Sequence, residues 1–276
     1  MNSFKKHFWK FLQCILSFEA PPTINDTCSC NTTGARRLYH CNDCFDFTAC
    51  CATCFVNRHE SNPFHWAECW NSSFLERKDL SELGFILPFK HGPDCDSCPR
   101  AKPVPFIIID VTGIHETQVA FCRCLTVKHD RVDLLLRCQI FPATLDQPQL
   151  GFTFNVLRDF HLQTLTSKKS SNDYLAALRR RTNNGILSNV PVCALNSFYS
   201  WPCSYLLLQS PYSQFLRVQR LWRALTMIKR SGQVHQIDKE FPHRREGNLT
   251  VPCFACPEPG FNVPDEQWGT VDEELK

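Results

Sequence analysis

CSCNTTGARRLYHCNDCFDFTACCATCFVNRHESNPFHW, residues 28–66, holds seven cysteines (Cys28, Cys30, Cys41, Cys44, Cys50, Cys51, Cys54) followed by His59 and His65. The residues able to ligate a metal arrive as four short-spaced pairs: Cys28/Cys30, Cys41/Cys44, Cys51/Cys54 and His59/His65. Zinc takes four nitrogen or sulfur ligands in a tetrahedron, and two ligands on one tight knuckle lower the entropic cost of assembling them. Four pairs make two sites. The usual arrangement is a cross-brace, with Cys28, Cys30, Cys51 and Cys54 on one ion and Cys41, Cys44, His59 and His65 on the other. The fold class this implies is α+β: a small zinc-stabilised cross-brace finger followed by a mixed α/β cysteine-cluster domain.

Composition narrows what surrounds the finger. The chain has 276 residues, 43% hydrophobic and 21% charged, enough for a core in one large or two small domains. Its 18 cysteines exceed what packing needs, so they serve bridges or metal. Several of the ten histidines stand close to cysteine pairs, which zinc sites use and disulfide frameworks do not. The rival reading is a secreted disulfide protein, suggested by lysines before an apolar run at the N-terminus and by sequons at Asn25, Asn31, Asn71 and Asn248. Against it, His7, Lys10 and Gln13 break that run, and Phe4, Phe8, Phe11 and Ile15 recur at helical spacing over residues 4–18. No stretch approaches the roughly 20 apolar residues of a spanning helix, so the expectation is a soluble, intracellular chain with no membrane partner.

Along the chain, 1–27 reads as an N-terminal helix and linker, and 28–70 as the double-zinc module. Residues 71–185 read as the cysteine-cluster domain, and 210–276 as a helix with a Cys-x-x-Cys tail. Within 71–185, VPFIIID (104–110) is of buried-strand type, Thr112-Gly113 supplies a turn, and a second strand runs to Cys124. Cys122 and Cys124, with Cys95 and either His91 or Cys98, could close a third site; His235, Cys253 and Cys256 could form part of a fourth. The cofactor expected is therefore Zn2+, two ions and up to four. LLLRCQIF (134–141) reads as a strand closed by Pro142, 154–165 as a helix, and Ser170 with Asp173 as a capping box opening another helix. Arg179–Arg181 then form a basic helix end. Residues 186–209 carry no charge at all and follow neither helical nor strand periodicity; they read as an insert of the kind an unspliced intron produces. Pro211 opens a last helix ending near Gly232.

The ordered motifs carry a resemblance. EAPP before the first cysteine, HESNPFHWAECW, HGPDC, IIIDVTGIHETQVAFCRC, IFPAT, FTFNVLRDFHL, SKKSSNDYLAAL, RLWRALTMIKRSGQVH and CFACPEPGFNVP together resemble the second type of CxC cysteine cluster associated with KDZ transposases, known chiefly from fungi. Residues 28–65 also resemble a ZZ-type zinc finger. The first resemblance implies a nuclear, zinc-binding region that works with DNA or with a transposase or chromatin protein, and takes no small-molecule substrate. The second implies a peptide partner, such as a histone tail.

Departures accompany the match. The first pair is Cys-x-Cys where ZZ-type fingers have two residues between thiols, and the insert interrupts a stretch the family runs through. The chain also stops at Lys276, where the family's ribonuclease H-like catalytic domain would begin. The expectation is therefore a non-enzyme, a fragment or decayed copy. Asp110, at the end of a buried strand, is the nearest mimic of a catalytic carboxylate and reads instead as a turn cap. A zinc deaminase needs a glutamate two residues after a ligand histidine; His115 is followed directly by Glu116.

Overall fold

The computed structural model describes residues 2–19, 27–45, 48–92, 99–124, 130–185, 211–236 and 263–264. Outside them lie the linker, the insert at 186–209, Cys95, Cys98, Cys253, Cys256 and the acidic C-terminus. The chain divides into two compact units, Met1–Phe215 and Leu216–Lys276.

In the first unit two short helices, α1 (Asn2–Lys5) and α2 (Phe8–Phe18), replace the single helix expected over 4–18. A three-stranded antiparallel sheet then forms from β1 (Tyr39–His40), β2 (Ala67–Trp70) and β3 (Leu75–Lys78), with α3 (Ala52–His59) between β1 and β2 in sequence. This small sheet thus takes its third strand from beyond residue 70, the boundary read from sequence for the double-zinc module. A 3-10 turn, Leu80–Leu83, closes on Gly84 in the left-handed conformation at φ 88°, which suits a residue without Cβ.

A five-stranded mixed sheet follows, built from β4 (Ile86–Phe89), β5 (Val104–Asp110), β6 (Gly113–Phe121), β7 (Ile140–Pro142) and β8 (Leu150–Thr153), in the order β4-β6-β5-β8-β7. β5 and β6 form an antiparallel hairpin; β4 runs parallel to β6 and β8 parallel to β5. Opposed residues share a face, so Phe106, Ile108 and Asp110 line up with Thr117, His115 and Gly113. That face joins Phe89, Val119, Phe121, Leu134, Leu135 and Ile140 in one core.

LLLRCQIF is not one strand. Arg131–Arg137 is a helix, α4, and only Ile140–Pro142 is extended. A short apolar run fits either state; Asp130 at the N-cap, Asp133 in the first turn and Arg137 in the last tip it to helix, burying Leu134 and Leu135 and exposing Leu136. α5 (Phe154–Ser167) is capped by Thr153, whose hydroxyl accepts from Val156 N–H at 3.2 Å, and it buries Val156, Leu157 and Phe160 while Leu165 is exposed. α6 (Ser171–Thr182) is capped by Ser170 through Asp173 N–H. Phe160 and Tyr174, on these two helices, pack with Phe152 and Phe215. Burial and the Asp159 carboxylate, which accepts the Tyr174 hydroxyl at 2.6 Å, push that phenol up.

Phe215 lies in the second turn of α7 (Pro211–Arg230), which continues into the second unit. There α7 carries Arg217, Arg220, Arg223, Lys229 and Arg230 and no acidic residue, and a 3-10 turn, Gln233–His235, follows.

Candidate metal centre

Each ligand pair stands on a distinct local device. Cys28 and Cys30 flank a tight turn beside the Thr27–Arg36 bridge, and Cys41 and Cys44 follow β1 directly. Cys51 is the N-cap of α3 and Cys54 lies one turn in, on the same face. His59 is the last residue of α3, and His65 comes just before β2. The helix therefore offers thiols at its start and an imidazole at its end, about 12 Å further on at 1.5 Å per residue.

The structure brings these residues into two interleaved sets: Cys28, Cys30, Cys51 and Cys54; and Cys41, Cys44, His59 and His65. In each, the ligand atoms all lie within 4.8 Å of one another. The separations suit a tetrahedral ion. Zn–S bonds of about 2.3 Å and Zn–N bonds of about 2.0–2.1 Å give tetrahedron edges of about 3.8 Å between sulfurs and about 3.6 Å between sulfur and nitrogen. Cys30 Sγ and Cys51 Sγ are 3.8 Å apart. Cys44 Sγ lies 3.3 Å from His59 Nε2 and 3.4 Å from His65 Nδ1, and Cys41 Sγ lies 3.7 Å from His65 Nδ1. A disulfide would need sulfurs near 2.05 Å. Both sets thus fit zinc by donor type and by spacing.

Surrounding groups orient the donors. His59 Nδ1 is 2.8 Å from the Phe55 carbonyl, one turn back, which accepts its N–H and leaves Nε2 facing the cysteines. Phe55 also stacks on the His59 ring at 4.0 Å, and burial holds that imidazole below its ordinary range. The Cys51 N–H points at Cys28 Sγ (3.4 Å); backbone N–H groups of Cys30 and Cys51 lower the Cys28 thiol to about 6. Burial pushes the Cys41 thiol up to about 12, and the neighbouring thiols of Cys51 and Cys30 raise Cys54 to about 12. Without an ion those two thiols keep their protons at neutral pH, so loading displaces protons. Asn42 Nδ2 and Arg77 Nε both donate to Glu68, at 2.8 and 3.2 Å, fixing the second knuckle against β2.

The other candidates are only partly assembled among the described residues. β4 and β6 are parallel neighbours ending in register at Phe89 and Phe121, so the residues just beyond them meet: His91 Nδ1 is 3.3 Å from Cys122 Sγ. Cys124 is half-buried. Cys95 and Cys98 lie outside the described residues, as do Cys253 and Cys256, while His235 is exposed in the second unit. Cys50 and Cys69 are buried but belong to neither set; both pair with Tyr39 across the small sheet.

A polar network that sequence reading missed joins finger to sheet. His115 is fully buried; its Nδ1 is 2.6 Å from Asp79 Oδ1 and its Nε2 is 2.9 Å from Thr112 Oγ1. Trp66, next to the ligand His65, stacks on His115 at 4.3 Å and donates its indole N–H to the Thr112 carbonyl (2.9 Å). Asp110 accepts from the Thr112 N–H and hydroxyl and from the Thr153 hydroxyl. Its carboxylate is filled by turn and cap, which is the role read from sequence. The one local signal for this network was the Asp-x-x-Glu box of Asp79 and Glu82, in which Asp79 N–H donates to Glu82 Oε1 at 2.9 Å.

Residues 80–185 match the CxC2 like cysteine cluster associated with KDZ transposases. The CxC2 segment takes in all five strands of the larger sheet together with α4, α5 and α6, and contains His91, Cys122 and Cys124. Both four-ligand sets lie before its first residue, so the ZZ-type resemblance of 28–65 rests on the sequence alone. No curated protein and no solved structure matches the chain.

Proposed function

We propose that the chain is a zinc-stapled, non-catalytic accessory region of a KDZ-type transposase, acting in the nucleus by positioning DNA for the catalytic machinery. The observation that carries this reading is the pairing of two complete four-ligand sets with an adjoining CxC2 segment. In it the finger is a two-ion cross-brace, with Zn2+ held by Cys28, Cys30, Cys51 and Cys54 and by Cys41, Cys44, His59 and His65. The ions supply structure rather than chemistry, because four protein ligands close the coordination sphere and leave no position for substrate. A third ion is proposed at Cys122 and Cys124 with Cys95 and either His91 or Cys98, and the 3.3 Å approach of His91 to Cys122 supports it. The run of five cations without an acid on α7 supports phosphate contact.

The test is anisotropy of a labelled duplex across a salt series. The expected result is affinity that falls linearly on a log–log plot with salt, with a slope reporting the number of phosphates neutralised. Absence of binding at low salt overturns it. A second reading, favoured by the interleaving of the two sets, is a ZZ-like module that binds a peptide. It predicts a salt-tolerant complex with histone-tail peptides and none with duplex DNA.

A further inference from the structure

The N-terminal helices are not part of the zinc sites or the sheet, and their surface is unusual. At 100° per residue, Phe8, Phe11, Leu12 and Ile15 lie on one side of α2, Trp9 and Leu16 flank them, and Lys10, Gln13 and Ser17 take the opposite side. The apolar side is open: Trp9 is 72% exposed, Phe8 59% and Ile15 58%. Phe4 of α1 extends the same surface, its ring 6.1 Å from that of Phe11. Lys5 and Lys6, where α1 gives way to α2, are exposed, Lys10 is exposed on the opposite side of α2, and no acidic residue occurs before Glu19.

We propose that α1 and α2 form an interfacial anchor that lies on an anionic lipid surface. Phe4, Phe8, Trp9, Phe11 and Ile15 sink to the boundary between headgroups and acyl chains, Lys5 and Lys6 pair with lipid phosphates and carboxylates, and Lys10 faces the water. Charge selects this occupant. A second copy would bring no acid to answer Lys5 and Lys6, and a DNA backbone would answer the lysines but leave the aromatic rings in water. Crossing the bilayer is a different matter: the 11 residues of α2 span about 16 Å, roughly half of a hydrocarbon core near 30 Å. No described helix is long and apolar enough to cross a membrane. The sequence expectation of no membrane partner addressed spanning segments, which surface binding does not require.

The test uses the full, zinc-loaded chain in co-sedimentation with vesicles of phosphatidylcholine alone and of phosphatidylcholine with phosphatidylserine in a three-to-one mixture. Wild type is expected to pellet with the mixed vesicles and to stay in solution with the neutral ones. Near an anionic surface each lysine contributes roughly fivefold in partitioning, so the K5Q/K6Q variant should bind about twenty-five-fold more weakly. F8S/F11S should abolish pelleting with zinc content unchanged, since both side chains are exposed and their loss removes no core. The proposal is overturned by equal binding of wild type and the lysine variant, which would place the basic surface elsewhere. It is also overturned by pelleting that duplex DNA abolishes while F8S/F11S does not, or by a Phe8-dependent dimer that fails to bind vesicles.

Discussion

Around α3 the buried cluster consists of Cys28, Cys41, Cys50, Cys51, Phe55, Ala67 and Leu80; around β5 it consists of Phe89, Phe106, Ile108, Val119, Phe121, Leu134, Leu135 and Ile140. The two regions lie in one compact unit, yet they are built on different physics. The second buries large side chains against one another on a five-stranded sheet, and the hydrophobic effect alone can hold it. The first has only two large apolar side chains among its buried residues, Phe55 and Leu80, and three of its seven buried members, Cys28, Cys41 and Cys51, belong to the two donor sets. Such an interior is stable when an ion binds the sulfurs and poor when it does not. Small size demands a staple, and in the proposed reading two zinc ions would supply it where a larger domain has a core.

Chelation should therefore break the comparison most visibly. Structural zinc contributes about 10–16 kcal/mol to the folding of small metal-held modules. Stripping it should collapse amide protection over residues 38–78 while β5 and β6 stay protected, as read by hydrogen-exchange mass spectrometry; a uniform loss would show that the sheet depends on the finger. Acid should act in the same direction. Loading displaces protons, among them those of Cys41 and Cys54, whose thiols hold them to about 12 without an ion, so zinc affinity should fall steadily as pH is lowered.

Truncating the other core should have the reciprocal effect. Leu135→Ala removes a fully buried side chain and should cost about 2–5 kcal/mol in denaturant titration, with zinc content unchanged. The seam between the regions can be opened by Asp79→Ala, which leaves His115 buried without its carboxylate partner and should cost about 3–5 kcal/mol. Unlike the core truncation, it should raise exchange on both sides of Trp66. The smallest effect expected is at Gly151, where an added Cβ would lie 2.5 Å from Ile140 Cγ2; Gly151→Ala should destabilise the β7–β8 edge by about 1–3 kcal/mol without touching the finger.

The legibility of the sequence follows the same division. The ligand groups of the finger could be read because knuckles are local: two donors separated by one to five residues announce themselves without knowledge of the fold. The β5–β6 hairpin was equally plain, since β-branched residues run up to a Thr-Gly turn and Gly113 takes a φ of 145° there. Leu134–Leu136 defeated pattern reading because three consecutive leucines have no period, and the terminal charges of α4 decided the outcome. The Asp79–His115 pair could not be read at all: its members are 36 residues apart, and they meet only because the 3-10 turn lies against β6. His91 and Cys122 are 31 residues apart, but both stood out as donors in a cysteine-rich segment, and the parallel register of β4 with β6 explains their approach.

The central claim is that the interleaved Cys/His sets are zinc sites, and native mass spectrometry of the reduced, purified chain tests it most directly. The expected result is at least two zinc ions per chain, one lost in Cys51→Ser and a different one lost in His59→Ala, with each variant retaining the other. A chain that carries no zinc, with Cys28, Cys30, Cys51 and Cys54 recovered in disulfides, would contradict the account.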